Sequence, residues 1–251
     1  MEISATIITI DEEAHLARCL ESLKDIADEI IVVDSGSRDR TPEIAGDFKA
    51  KVFSRNFTNY AEQKNYAASQ ARNDWILSLD ADECLSEALR GRLLDLKKTQ
   101  PLADAYAFPR KAFYLQRWIC HSGWYPDYKI RLYRRSKGSW KGEFVHESVS
   151  VNGRISRIDA DLLHYTCDSL SEHLQRLDHY TTLSARAMYQ EGKKPTLRGC
   201  LSSPLSAFLK AYLWKAGFLD GRQGLIIAVL AGYYNFLKHA KLWEMQQLTG
   251  P

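Results

Sequence analysis

Residues 76–85 read ILSLDADECL, so a mostly apolar run leads straight into Asp80, Asp82 and Glu83. Carboxylates packed this closely repel one another, and no basic residue adjoins them in sequence. Such a cluster is either a solvated turn after a strand or a seat for something cationic. Asp80 and Asp82, at i and i+2 on a chain leaving a strand, can both turn towards one hard divalent ion. An ion held by one or two carboxylates keeps positions open for phosphate oxygens, so this spacing offers metal-dependent chemistry on a diphosphate. By itself D-x-D is a weak signal, and Asp159-Ala160-Asp161 is a second instance, following the polar segment RISRI.

The elements around the motif strengthen it. SATIITI at 4–10 reads as a buried strand, and residues 12–27 place Leu16, Cys19, Leu20, Leu23 and Ala27 at helical spacing. EIIVVD, ending at Asp34, is a second strand before the turn SGSRDR, and Thr41-Pro42 has the form of a helix cap followed by proline. A KVFSR strand, a helix through Ala61–Ala71 and the strand WILSL complete a β-α-β-α-β-α-β series. Alternation of this kind predicts an α/β fold with a parallel sheet covered on both faces. Ligands of open α/β sheets sit beyond the carboxyl ends of the strands. Thr9–Glu12, Asp34–Ser37 and Asp80–Glu83 all fall there. Neither G-x-G-x-x-G nor a P-loop is present, which excludes the usual dinucleotide and nucleoside triphosphate fingerprints.

Beyond Ser86, a cap for a helix with Leu89, Leu93 and Leu96, extended aromatic segments follow: AYAFPRKAFYL, YKIRLYRR and ESVSVNGRISRI. Asn152-Gly153 in the last is expected to make a type I′ hairpin turn. Ser169 or Ser171 opens a long helix, GKKPTLRG reads as a linker, and the division expected is 1–168 and 169–251.

The chain has 251 residues, a net charge of +3 and scattered cysteines without a C-x-x-C pair, which fits a reducing compartment and argues against structural zinc. SATIITI follows the first residues with no basic, apolar and cleavage-site succession, so a secretory signal is not expected. From Lys193 to Lys241 the only acid is Asp220, against eight lysines and arginines. The apolar and aromatic residues interleaved with those cations favour an anionic membrane surface, with no nucleic-acid partner. The apolar stretches at 204–219 and 223–237 are too short to span a bilayer and are expected to lie in its interface, with packing on the domain as the alternative.

ATIITIDEE, IIVVDSGSRDRT, the QKN at 63–65 and WILSLDADE together resemble the nucleotide-sugar half of family 2 glycosyltransferases of GT-A fold. GWYPDYKIRLYRR, WKGEFVHE and FLDGRQGLIIAVLAGYYNFLKHAKLWE extend the resemblance to the lipopolysaccharide inner-core heptose β-1,4-glucosyltransferases. This resemblance implies a GT-A nucleotide-diphospho-sugar transferase fold with a C-terminal helical segment that associates with a membrane. It implies inverting transfer of glucose from UDP-glucose to heptose of a lipid A-core acceptor, at the cytoplasmic face of the inner membrane. Thr9, Glu12 and Asp34 would line the nucleotide, Asp80 the ribose and metal, and Asp82 would hold Mg²⁺ or Mn²⁺. Ile10 and Asp11 stand where the family often has an aromatic residue and an Asn.

Inverting transfer needs a base for the acceptor hydroxyl. Asp127, ahead of KIRLYRR, is the leading candidate, and Glu147 in VHE is its rival. Lys64 either approaches the sugar and diphosphate or sits on a helix surface. His146 and His164 either complete a metal site or bind acceptor. Arg131, Arg134 and Arg135 suit acceptor phosphates or form a solvated strand face. Trp118, Trp124 and Tyr125 bracket His121 in a loop able to stack on a sugar. Three other readings remain at this point: a polyprenyl-phosphate glycosyltransferase of the same fold, a haloacid-dehalogenase-type phosphatase, and a non-enzymatic membrane-surface scaffold.

Overall fold

The first apolar run forms β1 (Ile3–Thr9), in which every residue but Ile8 is buried. A strand buried this completely needs cover on both faces. Next come α1 (Leu16–Ser22), β2 (Glu29–Asp34), α2 (Thr41–Asp47), β3 (Lys51–Ser54), α3 (Tyr60–Ser69) and β4 (Trp75–Asp80). In this computed structural model, which describes residues 1–142 and 147–248, the strands pair in parallel in the order β3-β2-β1-β4. Leu16 and Leu20 of α1 and Ala45 of α2 cover one face, and Ala61, Ala67 and Ala68 of α3 belong to the core on the other. α1 is shorter than the apolar spacing predicts. The Ser22 hydroxyl donates to the Cys19 carbonyl at 2.7 Å and Asp25 takes a left-handed φ of 65°, so Leu23 and Ile26 are buried from a turn.

The chain continues through β5 (Glu83–Leu85), α4 (Glu87–Lys98), β6 (Ala105–Tyr114), β7 (Arg117–Trp118), β8 (Asp127–Arg134), β9 (Gly138–Lys141), β10 (Ser148–Val151), β11 (Ile155–Arg157) and β12 (Leu162–Cys167). Ser86 caps α4, its hydroxyl accepting from the Leu89 N–H at 3.2 Å. β8 runs antiparallel to both β4 and β6, and the sheet proceeds β4-β8-β6-β12-β5. The turn expected at Asn152-Gly153 does not join a hairpin: β10 pairs with β9, and β11 runs parallel to β6. Gly153 answers a different demand. A Cβ there would overlap the Asp104 carboxylate, which accepts from the Arg154 N–H at 3.0 Å.

The chain divides into two compact units, Met1–Lys111 with Asp127–Tyr165, and Ala112–Pro126 with the residues from Thr166 onward. Residues 112–126 thus fall in the second unit, whereas the division expected from sequence kept them within 1–168. Tyr114 and Ile119 share a small apolar cluster with Cys167 and Ile227, which accounts for the assignment. The second unit also holds α5 (Leu170–Gln190), α6 (Leu197–Leu209) and α7 (Gly221–Leu248). Ser169, one of two candidates for the cap, opens α5 by accepting from the Glu172 N–H at 3.1 Å. Between α6 and α7 lie a wide turn at Lys210–Trp214 and a tight one at Gly217–Asp220. Among the described residues, no helix is long and apolar enough to cross a membrane.

Candidate active site

In the parallel register Thr9 lies beside Asp34 and Ile8 beside Asp80, so three neighbouring strands end together. The loops leaving β1 and β2 are tied to each other. Asp34 is buried; its carboxylate accepts from the N–H groups of Gly36 and Ser37 at 3.0 and 3.1 Å, from the Thr9 hydroxyl at 3.2 Å, and from the Ser37 hydroxyl. Gly36 takes φ +95°, the left-handed conformation that lets both N–H groups face one carboxylate. Thr41, expected to cap α2, is instead its first residue, and its hydroxyl accepts from the Glu12 N–H at 2.7 Å. Thr9, Glu12 and Asp34 thus shape one rim. Ile10 is 53% exposed on it.

The cation sought by ILSLDADE is largely supplied by the protein itself. Lys64 Nζ lies 2.8 Å from Asp80 Oδ1, and an Arg131 terminal nitrogen lies 2.7 Å from Asp80 Oδ2 and 2.6 Å from Glu83 Oε1. Burial would push the Asp80 carboxyl up, but Arg131 and Lys64 hold it well below the usual carboxylate range. Burial likewise works against the Arg131 charge, and Asp80 and Glu83 overcome it. Neither Lys64 nor Arg131 reaches the surface: their side chains are 2% and 4% exposed. Lys64 is therefore no helix-surface lysine, and Arg131 is no solvated strand residue free to meet acceptor phosphates. Lys64 also faces Glu147 Oε1 at 3.3 Å and sits 4.3 Å above the Trp140 ring.

The charges continue on the far side. Glu83 is fully buried, its Oε2 accepting from the Asp80 N–H at 3.1 Å, and Arg110 lies 3.6 Å from its Oε1. Arg110 donates to Asp127 Oδ2 at 2.8 Å, while Lys129 lies 3.1 Å from Asp127 Oδ1. An alternating chain of charge, Glu147-Lys64-Asp80-Arg131-Glu83-Arg110-Asp127, therefore joins the two candidate bases. Asp127 has both oxygens beside cations. Glu83, Arg110 and Trp140 went unassigned by sequence reading; only the unusual run of carboxylates pointed to a nearby positive charge.

Asp82 escapes this network. Its Oδ2 lies 3.1 Å from His164 Nε2, because β12 pairs antiparallel with β5 and sets His164 opposite Glu83. Both side chains retain some exposure. Among the described residues no cluster of three or more His, Cys, Asp or Glu could hold a metal alone. A carboxylate and an imidazole fit a divalent ion whose other positions go to phosphate oxygens or water. Cys84 offers no nucleophile nearby: burial pushes its thiol up to about 11.

Arg134 is placed elsewhere. Because β8 is antiparallel to β4, Arg134 pairs with Trp75, five residues or about 16 Å of strand from Asp80. It lies over the Trp75 ring at 4.8 Å, near Asp74 and Asp104. Arg135 donates to the Ala68 and Ala71 carbonyls at that same end. His146 lies outside the described residues.

Residues 4–149 match the family model of glycosyl transferase family 2. The lipopolysaccharide core biosynthesis glycosyltransferase LpsC of Rhizobium meliloti is 30% identical over 255 residues, covering 99% of this chain and 94% of its own. A glycosyltransferase of Rickettsia bellii is 31% identical over 261 residues, covering 100% of this chain and 89% of its own. Among solved structures, S. aureus TarS 1-349 in complex with UDP-GlcNAc is 14% identical at a TM-score of 0.49, covering 100% of this chain and 92% of that one.

Proposed function

The chain belongs to glycosyl transferase family 2, and from that premise we propose that it is a GT-A-type transferase that moves glucose from UDP-glucose to a heptose of the lipopolysaccharide inner core, with inversion, at the cytoplasmic face of the inner membrane. The convergence of Thr9, Asp34, Asp80 and Asp82 at neighbouring strand ends carries the donor half of this reading. The likeness to a core-biosynthesis glycosyltransferase over nearly the whole chain supports the acceptor class, while glucose and heptose rest on motif resemblance. Family membership sets aside the phosphatase and scaffold readings.

The rim of Thr9, Glu12 and Asp34 receives the nucleoside, and Asp80 lies beyond it towards the sugar. Asp82 and His164 would hold Mg²⁺ or Mn²⁺, which when bound offsets charge on the departing diphosphate. The acceptor oxygen bonds to the anomeric carbon as the bond from that carbon to the diphosphate oxygen breaks, and the hydroxyl proton passes to a carboxylate. Glu147 is the better placed of the two candidates. It is tied through Lys64 to Asp80, whereas each oxygen of Asp127 faces a cation.

Calorimetry of UDP-glucose with and without Mn²⁺ tests the donor site: binding should need metal in the native protein and lose that dependence in Asp82→Ala. Release of UDP from UDP-glucose tests the base. Glu147→Gln should slow it by about 100-fold or more. Lys64→Met should also slow it, and the double variant should be no slower than Glu147→Gln if Lys64 acts through that carboxylate. A comparable loss in Asp127→Asn, with Glu147→Gln near wild type, would reverse the assignment.

A further inference from the structure

The second unit exposes large apolar side chains on a segment whose backbone is tied down. Leu201, Leu205, Leu209 and Leu213 recur every four residues and are 70%, 59%, 42% and 58% exposed. Trp214, next in the chain, is 86% exposed, and Phe218 and Leu219 are about half exposed. A slack loop would fold such residues inward, as apolar surface in water is unfavourable.

This segment is not slack. Asp220, 2% exposed, accepts from the N–H groups of Cys120 and His121 at 3.1 and 2.9 Å and from the Ser122 hydroxyl at 3.2 Å, and it faces His121 Nδ1 at 3.1 Å. The Ser122 N–H donates to the Lys215 carbonyl at 2.9 Å, and Arg117 donates to the Leu219 carbonyl at 3.2 Å. Ser122 and Ala216 hold left-handed φ values of 60° and 51°, which residues with a Cβ seldom adopt. A Cβ on Gly217 would stand 2.7 Å from the Ala211 carbonyl, so backbone packs directly on backbone. Local strain is retained here to keep Leu213, Trp214, Phe218 and Leu219 outward.

Charge identifies what covers them. Asp220 is the only acid between Lys193 and Lys241, and it is buried, so Lys210, Lys215 and Arg222 stand exposed with no acid of that stretch to balance them. A second copy docking by the same patch would bring like charges together. Apolar side chains ringed by cations match the interface of an anionic bilayer, where apolar groups enter the acyl boundary and lysines meet headgroups.

We propose that residues 213–219 form a preformed tip that inserts into the interface of an anionic bilayer, with the leucine stripe of α6 along the surface and Asp220 latching the tip outward. This deepens the reading of a lipid-linked acceptor at a membrane, naming the surface that makes contact. The full chain should co-sediment with phosphatidylcholine vesicles containing phosphatidylglycerol, much less with phosphatidylcholine alone, and less as salt is raised. Leu213→Ser with Trp214→Ser should weaken binding about tenfold or more, and Lys210→Glu with Lys215→Glu should remove the preference for anionic vesicles. Equal binding of the native and serine variants, or no vesicle binding at all, overturns the proposal. So does a dimer in sedimentation velocity that the serine variant abolishes, since a second copy would then be the cover. UDP-glucose binding measured on the same samples keeps the failures apart: its loss sinks the transferase reading, whereas loss of vesicle binding alone sinks the tip.

Discussion

Glu83 in the first unit and Asp220 in the second are both carboxylates removed almost wholly from water, at 0% and 2% exposure, yet they are neutralised by different means. Glu83 is met by the guanidinium groups of Arg131 and Arg110, on β8 and β6, and shares Arg131 with Asp80. Asp220 is met by two backbone N–H groups, a hydroxyl and an imidazole, all from the tripeptide Cys120–Ser122. Buried ion pairs are a poor route to stability, because desolvation offsets most of the attraction. A charge network collected from several elements makes sense where a charged substrate has to be placed. A carboxylate held by backbone N–H groups and short side chains of three adjacent residues works as a latch.

Breaking the ionic case should have the largest effect. Arg131→Met leaves Glu83 and Asp80 without their shared cation, and urea unfolding should show a loss of about 3–5 kcal/mol. Glu83→Gln added to that variant should recover part of the loss; no recovery would mean that Arg131 acts through packing on Trp140, over whose ring it lies at 5.5 Å.

The latch should be less sensitive. Asp220→Asn keeps the shape but replaces an acceptor oxygen by a donor, and the expected cost is about 1.5–3 kcal/mol in the same measurement. Its vesicle binding should fall as well, because the tip is freed. A cost equal to that of Arg131→Met would erase the distinction between the two sites.

Glu29, at the opposite ends of the strands, mixes both modes and should show the smallest effect. Its carboxylate accepts from Ser4 Oγ at 2.7 Å, Lys51 Nζ at 2.7 Å and the Arg72 N–H at 2.9 Å. Burial works to raise it, but these partners hold it below the ordinary 4.5. A depressed carboxylate stabilises the fold fully above the unfolded value and loses that contribution as the pH falls through its folded value. Glu29→Gln should therefore cost about 1 kcal/mol at neutral pH, and the gap between the two urea midpoints should close as the pH is taken below 4.5. A gap that stays constant through that range would show that the charge contributes nothing.

Local signals in the sequence were reliable where the structure they specify is local. Ser86 and Ser169 cap their helices because a hydroxyl and an N–H three residues on need nothing else. Asn152-Gly153 misled because turn chemistry alone does not choose strand partners; the flanking segments pair elsewhere, and Gly153 makes room for Asp104. Arg131, Arg134 and Arg135 looked equivalent on one basic strand. Side chains alternate faces along β8, which runs antiparallel to β4, so one arginine enters the charge network while the others reach Asp74, Asp104 and the carbonyls of 68 and 71.

By itself the sequence determined the parallel half of the sheet and put Thr9, Asp34, Asp80 and Asp82 at its carboxyl edge, because hydrophobic periodicity and turn residues declare where each strand stops. Only the tertiary structure decided which cations those acids meet. Local pattern does not name a strand's neighbour, and it is the antiparallel insertion of β8 beside β4, with α3 packed on the sheet, that brings Arg131 and Lys64 to Asp80.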